Sequence, residues 1–251
     1  MISEQFLIDI ILKREDIDNF SVFPFSLDAC RHLERLRLHP KVTFFVGENG
    51  SGKSTLLEAI AVANGFNPEG GSKNFGFSTR ASHSILEKFI RCSRGVKKPR
   101  GGYFLRAESF YNVATEIETL DTDEPGVSLS PPRVIDAYGG KSLHEQSHGE
   151  SFLALMINRF SGKSLYILDE PEAALSPSRQ LSMMHRMHEL ILQDCQFLIA
   201  THSPILMAYP DAEIQSFGPK GLEKKAYEDT EHHRVMKSFI NDPDSIIAKL
   251  L

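Results

Sequence analysis

Apolar runs that alternate with helix-favouring stretches dominate the hydrophobic pattern of the chain. The β-branched and aromatic run at 42–46 predicts a buried strand, and the Leu-, Ala- and Glu-rich stretch at 53–63 predicts a helix. Further apolar runs at 164–168 and 195–200 predict two more strands, and a helix is expected between them at 179–193. Together these elements predict an α/β fold with a mostly parallel sheet.

Weaker patterns surround this centre. Stretches 6–12 and 22–25 have the composition of strands in an N-terminal sheet, and 28–38 fits either a helix or a strand. Apolar residues at helical spacing predict a helix within 82–94, and residues 231–251 are predicted to form a helical tail. These segments would complete the α/β fold on either side of the central strands.

A glycine-rich loop joins the first predicted strand to the first predicted helix. Residues 47–54 read Gly-Glu-Asn-Gly-Ser-Gly-Lys-Ser, the text of a phosphate-binding loop (Walker A). Glycines let backbone N–H groups surround an anion, and the helix that follows directs its dipole to the same point. Lys53 would reach the β- and γ-phosphates, and the Ser54 hydroxyl would hold Mg²⁺. A chance match is rare when strand and helix flank the loop, so the predicted phosphate-binding residues are Gly47, Asn49, Gly50, Gly52, Lys53, Ser54 and Thr55.

Two adjacent carboxylates follow the apolar run at 164–168. Asp169 and Glu170 stand where a strand of an α/β sheet ends at the ligand crevice. Asp169 is therefore a candidate Mg²⁺ ligand, and Glu170 is a candidate for polarising the water that attacks the γ-phosphorus. The alternative is an acidic loop that caps the next helix, which the phosphate-binding loop in the same chain makes less attractive.

The text Asp169-Glu170-Pro171 with a downstream Thr201-His202-Ser203 resembles the nucleotide-binding domain of the ATP-binding-cassette (ABC) superfamily. The resemblance covers most of the chain. The chain is most similar to the soluble branch with RecF-like, chromosome-maintenance and overcoming-lysogenisation-type ATPases. In that branch the Asp-Glu-Pro motif continues with a Glu and a Leu-x-Pro, which correspond here to Glu172 and residues 175–177. The resemblance implies ATP and Mg²⁺ as ligands, a catalytic switch histidine at His202, and a D-loop at 174–176.

The resemblance also places a signature sequence at 147–151, where Ser147 and Gly149 would grip the γ-phosphate bound to a second subunit. Here the signature sequence differs from that of the family, because His148 stands where transporters have glycine. The Q-loop should fall near 104–110, but it contains no Gln. Glu108 is the nearest candidate, and it either binds Mg²⁺ or a water, or is a surface residue. Adenine would stack on an N-terminal aromatic, for which Phe20, Phe23 and Phe25 are candidates.

This resemblance implies one ABC-type ATPase domain over residues 1–251. Residues 1–80 and 161–251 would form the nucleotide-binding core, and 81–160 a helical lid with the signature. An antiparallel N-terminal β-subdomain is expected beside the mostly parallel sheet. The expected function is Mg²⁺-dependent ATP hydrolysis by a homodimer that assembles head to tail on binding ATP. The alternative is the ATP-binding motor subunit of an ABC membrane transporter, against which stand the altered signature and the missing Q-loop Gln.

The net charge of −5 hides an asymmetry. Between residues 73 and 106 the chain has nine basic residues and one acid, so this basic strip carries +8 and the rest about −13. Its members are Lys73, Arg80, Lys88, Arg91, Arg94, Lys97, Lys98, Arg100 and Arg106. The strip either contacts nucleic-acid phosphates, or is a solvated loop, or helps to neutralise ATP. Nucleic-acid contact would fit repair or anti-phage defence, alone or with a nuclease or other effector partner.

Three cysteines without a metal-binding pattern favour a reducing cytoplasm and no metal cluster. No apolar run approaches the roughly 20 residues that a membrane span needs, and no signal peptide is apparent. We therefore expect a cytoplasmic protein without membrane insertion.

Overall fold

The computed structural model describes residues 5–73, 84–106 and 148–251, and the fold is given for these ranges. They contain the strands β1 (Leu7–Leu12), β2 (Arg35–Arg37), β3 (Val42–Val46), β4 (Ile90–Arg94), β5 (Gly101–Arg106), β6 (Ser164–Asp169), β7 (Gln196–Ala200), β8 (Glu213–Gly218) and β9 (Gly221–Lys225). The α-helices are α1 (Asp28–Arg31), α2 (Lys53–Ala63), α3 (His148–Arg159), α4 (Pro177–Ile191), α5 (Pro204–Met207), α6 (Glu231–Asn241) and α7 (Pro243–Leu250). Short 3₁₀ helices lie at Arg14–Asp16, Ile85–Phe89, Pro171–Ala174 and Tyr227–Asp229.

The strands form two sheets. A six-stranded sheet has the order β5-β6-β7-β3-β8-β9, with parallel pairing except between β8 and β9. A three-stranded antiparallel sheet has the order β2-β1-β4. The predicted fold class is confirmed, with a mostly parallel sheet and an antiparallel N-terminal subdomain.

Two hydrophobic layers cover the larger sheet. One face packs against α3 and α4, whose buried residues include Phe152, Leu155, Met183 and Leu190. The other face packs against α2 and the smaller sheet, through residues that include Phe45, Leu57, Ile60 and Ile10. Because both faces are covered, every residue of β3 is buried, which explains why its sequence is continuously apolar rather than alternating.

Several local predictions need correction. Residues 22–25 form turns rather than a strand, and 28–38 divides into helix α1 and strand β2. The helix predicted within 82–94 is wrong, because a short 3₁₀ helix there leads into β4. Its apolar residues fit a helical spacing, but antiparallel pairing with β1 and packing against α2 give Ile90–Arg94 an extended conformation.

The helical lid predicted at 81–160 lies largely outside the described residues, so its extent stays a prediction. Of its described residues, Ile90–Arg94 belongs to the antiparallel sheet and Gly101–Arg106 is the edge strand of the large sheet. The tail at 231–251 is helical as predicted, and Pro243 begins its second helix. Strand β9 was not predicted, because its text Gly-Leu-Glu-Lys-Lys lacks an apolar pattern and its conformation depends on pairing with β8.

Candidate nucleotide-binding site

The loop at 47–52 connects β3 to α2 at the carboxyl edge of the large sheet. Gly52 precedes α2 with φ of 98°, a left-handed conformation that glycine adopts without strain. Gly47 lies so close to Phe217 that an added Cβ would be 2.8 Å from the Phe217 Cβ. These two positions therefore explain why the loop needs glycines, and the backbone N–H groups at the start of α2 would be available to an anion.

Lys53 is the first residue of α2 and its side chain turns back over the loop. Its Nζ donates to the carbonyl oxygens of Gly47 at 2.8 Å and Glu48 at 3.0 Å. The residue is 4% exposed, and burial lowers the pKa of its ammonium against the opposing effect of Glu170 and Asp169. A bound phosphate would supply the negative charge that a buried ammonium needs.

The start of α2 and the end of β6 meet through one hydrogen bond. The Ser54 Oγ donates to the Asp169 Oδ1 at 3.0 Å, although the residues are 115 positions apart. Mg²⁺ is commonly held by one or two protein oxygens together with substrate phosphates, so a hydroxyl and a carboxylate fit this ion. In the described parts of the chain, no group of three or more His, Cys, Asp or Glu residues is placed to hold a metal ion.

Glu170 and His202 lie side by side at the same edge. The His202 Nε2 is 3.5 Å from the Glu170 Oε1, and both side chains are partly exposed. Glu170 has φ of 51°, which is unusual for a residue with a side chain, and its N–H donates to the Ala200 carbonyl at 2.9 Å. Such backbone strain is typical of functional positions. The geometry therefore brings together the two residues that the sequence predicts as catalytic.

Glu172 is a contact that sequence analysis missed. Its Oε1 accepts a hydrogen bond of 2.5 Å from the His202 backbone N–H and so joins the two segments that bear Glu170 and His202. Burial raises the pKa of the Glu172 carboxyl, and the hydrogen bond from His202 opposes this. The fourth residue of the Asp-Glu-Pro-Glu text was the available signal for this contact.

Arg106 lies beside Asp169 at the carboxyl edge of the large sheet rather than with the other described members of the basic strip. Its Nη1 bonds the Glu58 Oε2 at 2.8 Å, and its Nε is 4.0 Å from the Asp169 Oδ2. Parallel pairing of β5 with β6 places it beside Asp169. Glu108, the alternative Mg²⁺ ligand, lies outside the described residues.

Two cavities border the phosphate-binding loop. One of about 390 Å³ is lined by residues that include Asn49, Gly50, Lys53, Thr55 and Glu170, together with Phe23. The other, of about 580 Å³, runs from the loop to residues 216–219 and the start of α6. Phe23 is 60% exposed, whereas Phe25 is buried and packs edge to face on Phe89. Of the adenine-stacking candidates, Phe23 is the one that lines the loop cavity.

The signature is described only from His148, and Ser147 lies outside the described residues. Gly149, in the first turn of α3, is buried, and a Cβ there would be 2.7 Å from the Ala174 carbonyl oxygen. Arg179 bonds Glu150 at 3.1 Å across the same contact. The start of α3 is thus packed against the predicted D-loop.

A glycine-rich loop after β3, carboxylates at the end of β6 and a histidine after β7 fit a P-loop fold of the ABC type. The family model described as an AAA domain matches residues 16–123. Curated proteins gave no match. In the described ranges, no helix has the length and apolar character to cross a membrane.

Solved structures that are similar to this chain include ABC cassettes. One is from an inward-facing, metal-chelate type ABC transporter, with 13% identity and TM-score 0.50, covering 92% of this chain and 88% of that chain. Another is an ATP-binding cassette of an ABC transporter, with 17% identity and TM-score 0.50, covering 96% and 98%. The SMC head domain from Thermotoga maritima has 18% identity and TM-score 0.43, covering 88% and 98%. The likeness of the first two shows an ABC-type ATPase fold.

Proposed function

We propose that this protein binds ATP with Mg²⁺ and hydrolyses it. The observation that carries the proposal is the Ser54–Asp169 hydrogen bond of 3.0 Å, because it joins a phosphate loop to a carboxylate strand end. Glu170 and His202 stand beside this pair at 3.5 Å from each other. Anion binding, metal binding and a general base are then available at one sheet edge.

Different residues of the chain would bind the phosphates, hold Mg²⁺ and activate the water. Backbone N–H groups at the start of α2 and the Lys53 ammonium bind the β- and γ-phosphates. Ser54 and Asp169 would hold Mg²⁺, which when bound neutralises charge on the phosphate oxygens. Glu170 orients a water in line with the γ-phosphorus and accepts its proton. His202 would donate a hydrogen bond to a γ-phosphate oxygen.

We further propose an ATP-dependent head-to-tail homodimer. The described residues that line the two loop cavities come from other segments than α3, and Gly149 packs against the D-loop instead. A second subunit would have to supply Ser147 and Gly149 to the γ-phosphate. Two identical composite sites would follow from the two-fold symmetry.

Mixed variants test hydrolysis and the shared site together. Lys53→Ala and Ser147→Arg should each abolish Mg²⁺-dependent ATPase activity alone. Their equimolar mixture should regain about a quarter of the parental rate, because half the dimers are mixed and each has one intact site. Lys53→Ala mixed with the double variant Lys53→Ala/Ser147→Arg is the control and should stay inactive. Full turnover by Ser147→Arg alone would exclude the composite site.

For the process that ATP drives, we propose nucleic-acid-linked repair or defence. Lys73, Arg94 and Lys98 line one cavity of about 220 Å³, and burial together with nearby Arg94 lowers the pKa of Lys73. Arg91 lies on the other face of β4, where it is in register with Arg35 across β1. A cavity with three cationic side chains supports contact with backbone phosphates.

Charge reversal tests this partner. Arg94→Glu/Lys98→Glu should abolish binding of DNA or RNA in fluorescence anisotropy, and the parental log–log salt slope should be about 0.9 per duplex phosphate contacted. Arg91→Glu, on the opposite face, is the control and should keep most of the affinity. Basal ATPase activity should survive in both. Equal loss in both variants would exclude the cavity as the site. Co-purification with a membrane permease, without nucleic acid or a nuclease, would favour the transporter motor.

A further inference from the structure

His202 is in contact with a second histidine that comes from the C-terminal part of the chain. The His202 Nδ1 is 3.1 Å from the His232 Nε2, and the two ring centroids are 5.3 Å apart. His232 lies in the first turn of α6, whose start is fixed by the Thr230 side chain accepting from the His233 N–H at 3.3 Å. A helix thus brings a ring nitrogen to one side of His202 while Glu170 lies on the other.

The contacts of His202 determine which of its nitrogens bears hydrogen. Its Nε2 is buried, has no hydrogen-bond partner among the described residues, and lies 3.5 Å from the Glu170 Oε1. An ionised carboxylate only accepts, and a neutral imidazole has a single N–H. A hydrogen on Nε2 therefore makes this approach favourable, whereas the other tautomer would set a lone pair against the carboxylate. Nδ1 is then an acceptor, so the hydrogen between the rings belongs to His232.

We propose that His232 is a positioning residue for His202. Its Nε2–H donates to the His202 Nδ1 and holds His202 in the tautomer that presents Nε2–H at the carboxyl edge of the large sheet. The consequence for catalysis rests on the proposed ATPase function, because Nε2–H would then donate to a γ-phosphate oxygen. The tautomer itself is a property of the folded chain and does not depend on hydrolysis.

The charges around the pair set the pH range of this arrangement. His202 faces Lys53, Glu170, Glu48 and His232, and burial together with Lys53 lowers its pKa despite the two carboxylates. Burial also lowers the pKa of His232, whose charged neighbours are Glu231, Lys53 and Glu48. Both rings therefore stay neutral to lower pH than an exposed histidine. On further acidification a protonated His202 would donate from Nδ1, and the hydrogen bond between the rings would reverse.

Three variants separate the hydrogen bond from the shape of the ring. His232→Phe keeps a ring without a donor, and His232→Gln keeps an N–H donor that does not titrate. His233→Phe is the matched control, because the adjacent ring instead contacts the Glu228 carbonyl oxygen and the Tyr227 ring. Ring ¹⁵N chemical shifts report the tautomer of His202, which is assigned by comparison with His202→Gln.

At pH 8 the parent, His232→Gln and His233→Phe should show His202 as the Nε2–H tautomer, and His232→Phe should show a mixture. In ATPase assays His232→Phe should lower kcat about tenfold at unchanged KM, the equivalent of one hydrogen bond, and His232→Gln should restore most of it. An Nδ1–H tautomer in the parent, or full kcat in His232→Phe, would overturn the proposal. The expected tautomers without any ATPase activity would support the contact and refute the proposed function instead.

Discussion

The two edges of the large sheet differ in how their buried polar groups are hydrogen-bonded. At the amino edge, Gln196 is 1% exposed and its side chain makes four hydrogen bonds. Its Oε1 accepts from the N–H groups of Phe6 and Leu7, and its Nε2 donates to the carbonyls of Leu7 and His39, at 2.8–3.2 Å. This one side chain joins the antiparallel sheet to the parallel one. The Gln196 side chain at this edge is thus fully hydrogen-bonded and serves stability.

At the carboxyl edge, buried polar atoms remain without a partner. Among the described residues these include the Ser51 Oγ, the Glu172 Oε2 and the His202 Nε2. Glu170 adds backbone strain at the same edge. Unsatisfied donors and acceptors reduce stability, but they are available to a ligand that supplies the missing contacts. The polar groups of Gln196 at one edge therefore stabilise the fold, while those at the other edge are arranged for the proposed nucleotide.

The largest expected effect is the loss of the proposed general base. Glu170→Gln should lower kcat about 1,000-fold, because the amide cannot accept the proton of water. Nucleotide binding should persist, since Lys53, Ser54 and Asp169 are unchanged. With Mg-ATP the variant should remain a dimer in size-exclusion chromatography with light scattering. Glu223→Gln, on exposed β9, is the control. A Glu170→Gln variant with parental turnover would remove Glu170 from the mechanism.

The next largest expected effect is on ATP affinity, when the Lys53 ammonium over the phosphate-binding loop is removed. Lys53→Ala should weaken ATP binding about 100-fold, because a charge-assisted contact with phosphate is lost. The control is Lys41→Ala at the opposite end of β3, where Lys41 bonds Asp211 at 2.9 Å on the surface. Isothermal titration with Mg-ATP measures both affinities. Equal affinities would mean that the loop has only a structural role.

At the amino edge the expected effect is on stability rather than binding. Gln196→Leu leaves buried N–H and C=O groups of β1 without partners, which should lower the free energy of unfolding by about 2 kcal/mol. ATP affinity should not change. Gln193→Leu, three positions earlier and exposed, is the control for side-chain size. Urea denaturation of the three proteins is the measurement, and equal midpoints would show that Gln196 does not hold the sheets together.

The sequence predicts the carboxyl edge better than the rest of the molecule. The phosphate loop and the carboxylates at 169–170 are short sequence motifs beside strongly apolar strands. The strands and the helix that flank them form where predicted. Strands β4 and β9 were missed, because their conformation comes from pairing with β1 and β8 rather than from their own pattern. Tertiary pairing overrides local propensity there.

Contacts between segments that are distant in the chain could not be predicted from the sequence either. Glu172 and His202 are 30 residues apart, as are His202 and His232, and no spacing rule connects them. Arg106 was predicted as part of a basic strip, yet strand register places it beside Asp169. The four hydrogen bonds of Gln196 could not be foreseen, because a Gln at the start of an apolar strand has no local signature.

The smallest expected effect is that of Glu172→Gln on the free energy of unfolding. We expect it to have the opposite sign to the effect of Gln196→Leu, so it tests the difference between the two edges directly. Burial raises the pKa of Glu172 above its value in the unfolded chain. Between the two pKa values the folded protein binds more protons, so stability is present at low pH and is lost as pH rises through the folded pKa. Glu172→Gln removes this dependence while keeping an acceptor for the His202 N–H. We expect the variant to be more stable than the parent at pH 8, on the order of 1 kcal/mol, with the difference shrinking toward pH 4.5.

Glu189→Gln is the control with the reverse sign. A hydrogen bond from Arg186 lowers the pKa of Glu189, so its contribution is present at high pH and is lost as pH falls through the folded pKa. Urea denaturation at pH 4.5, 6 and 8 should therefore give slopes of opposite sign for the two differences between variant and parent. If Glu172→Gln were less stable than the parent at pH 8, the ionised carboxylate would stabilise the fold through His202. The carboxyl edge would then contribute to stability as the amino edge does, and the distinction between the two edges would fail at Glu172.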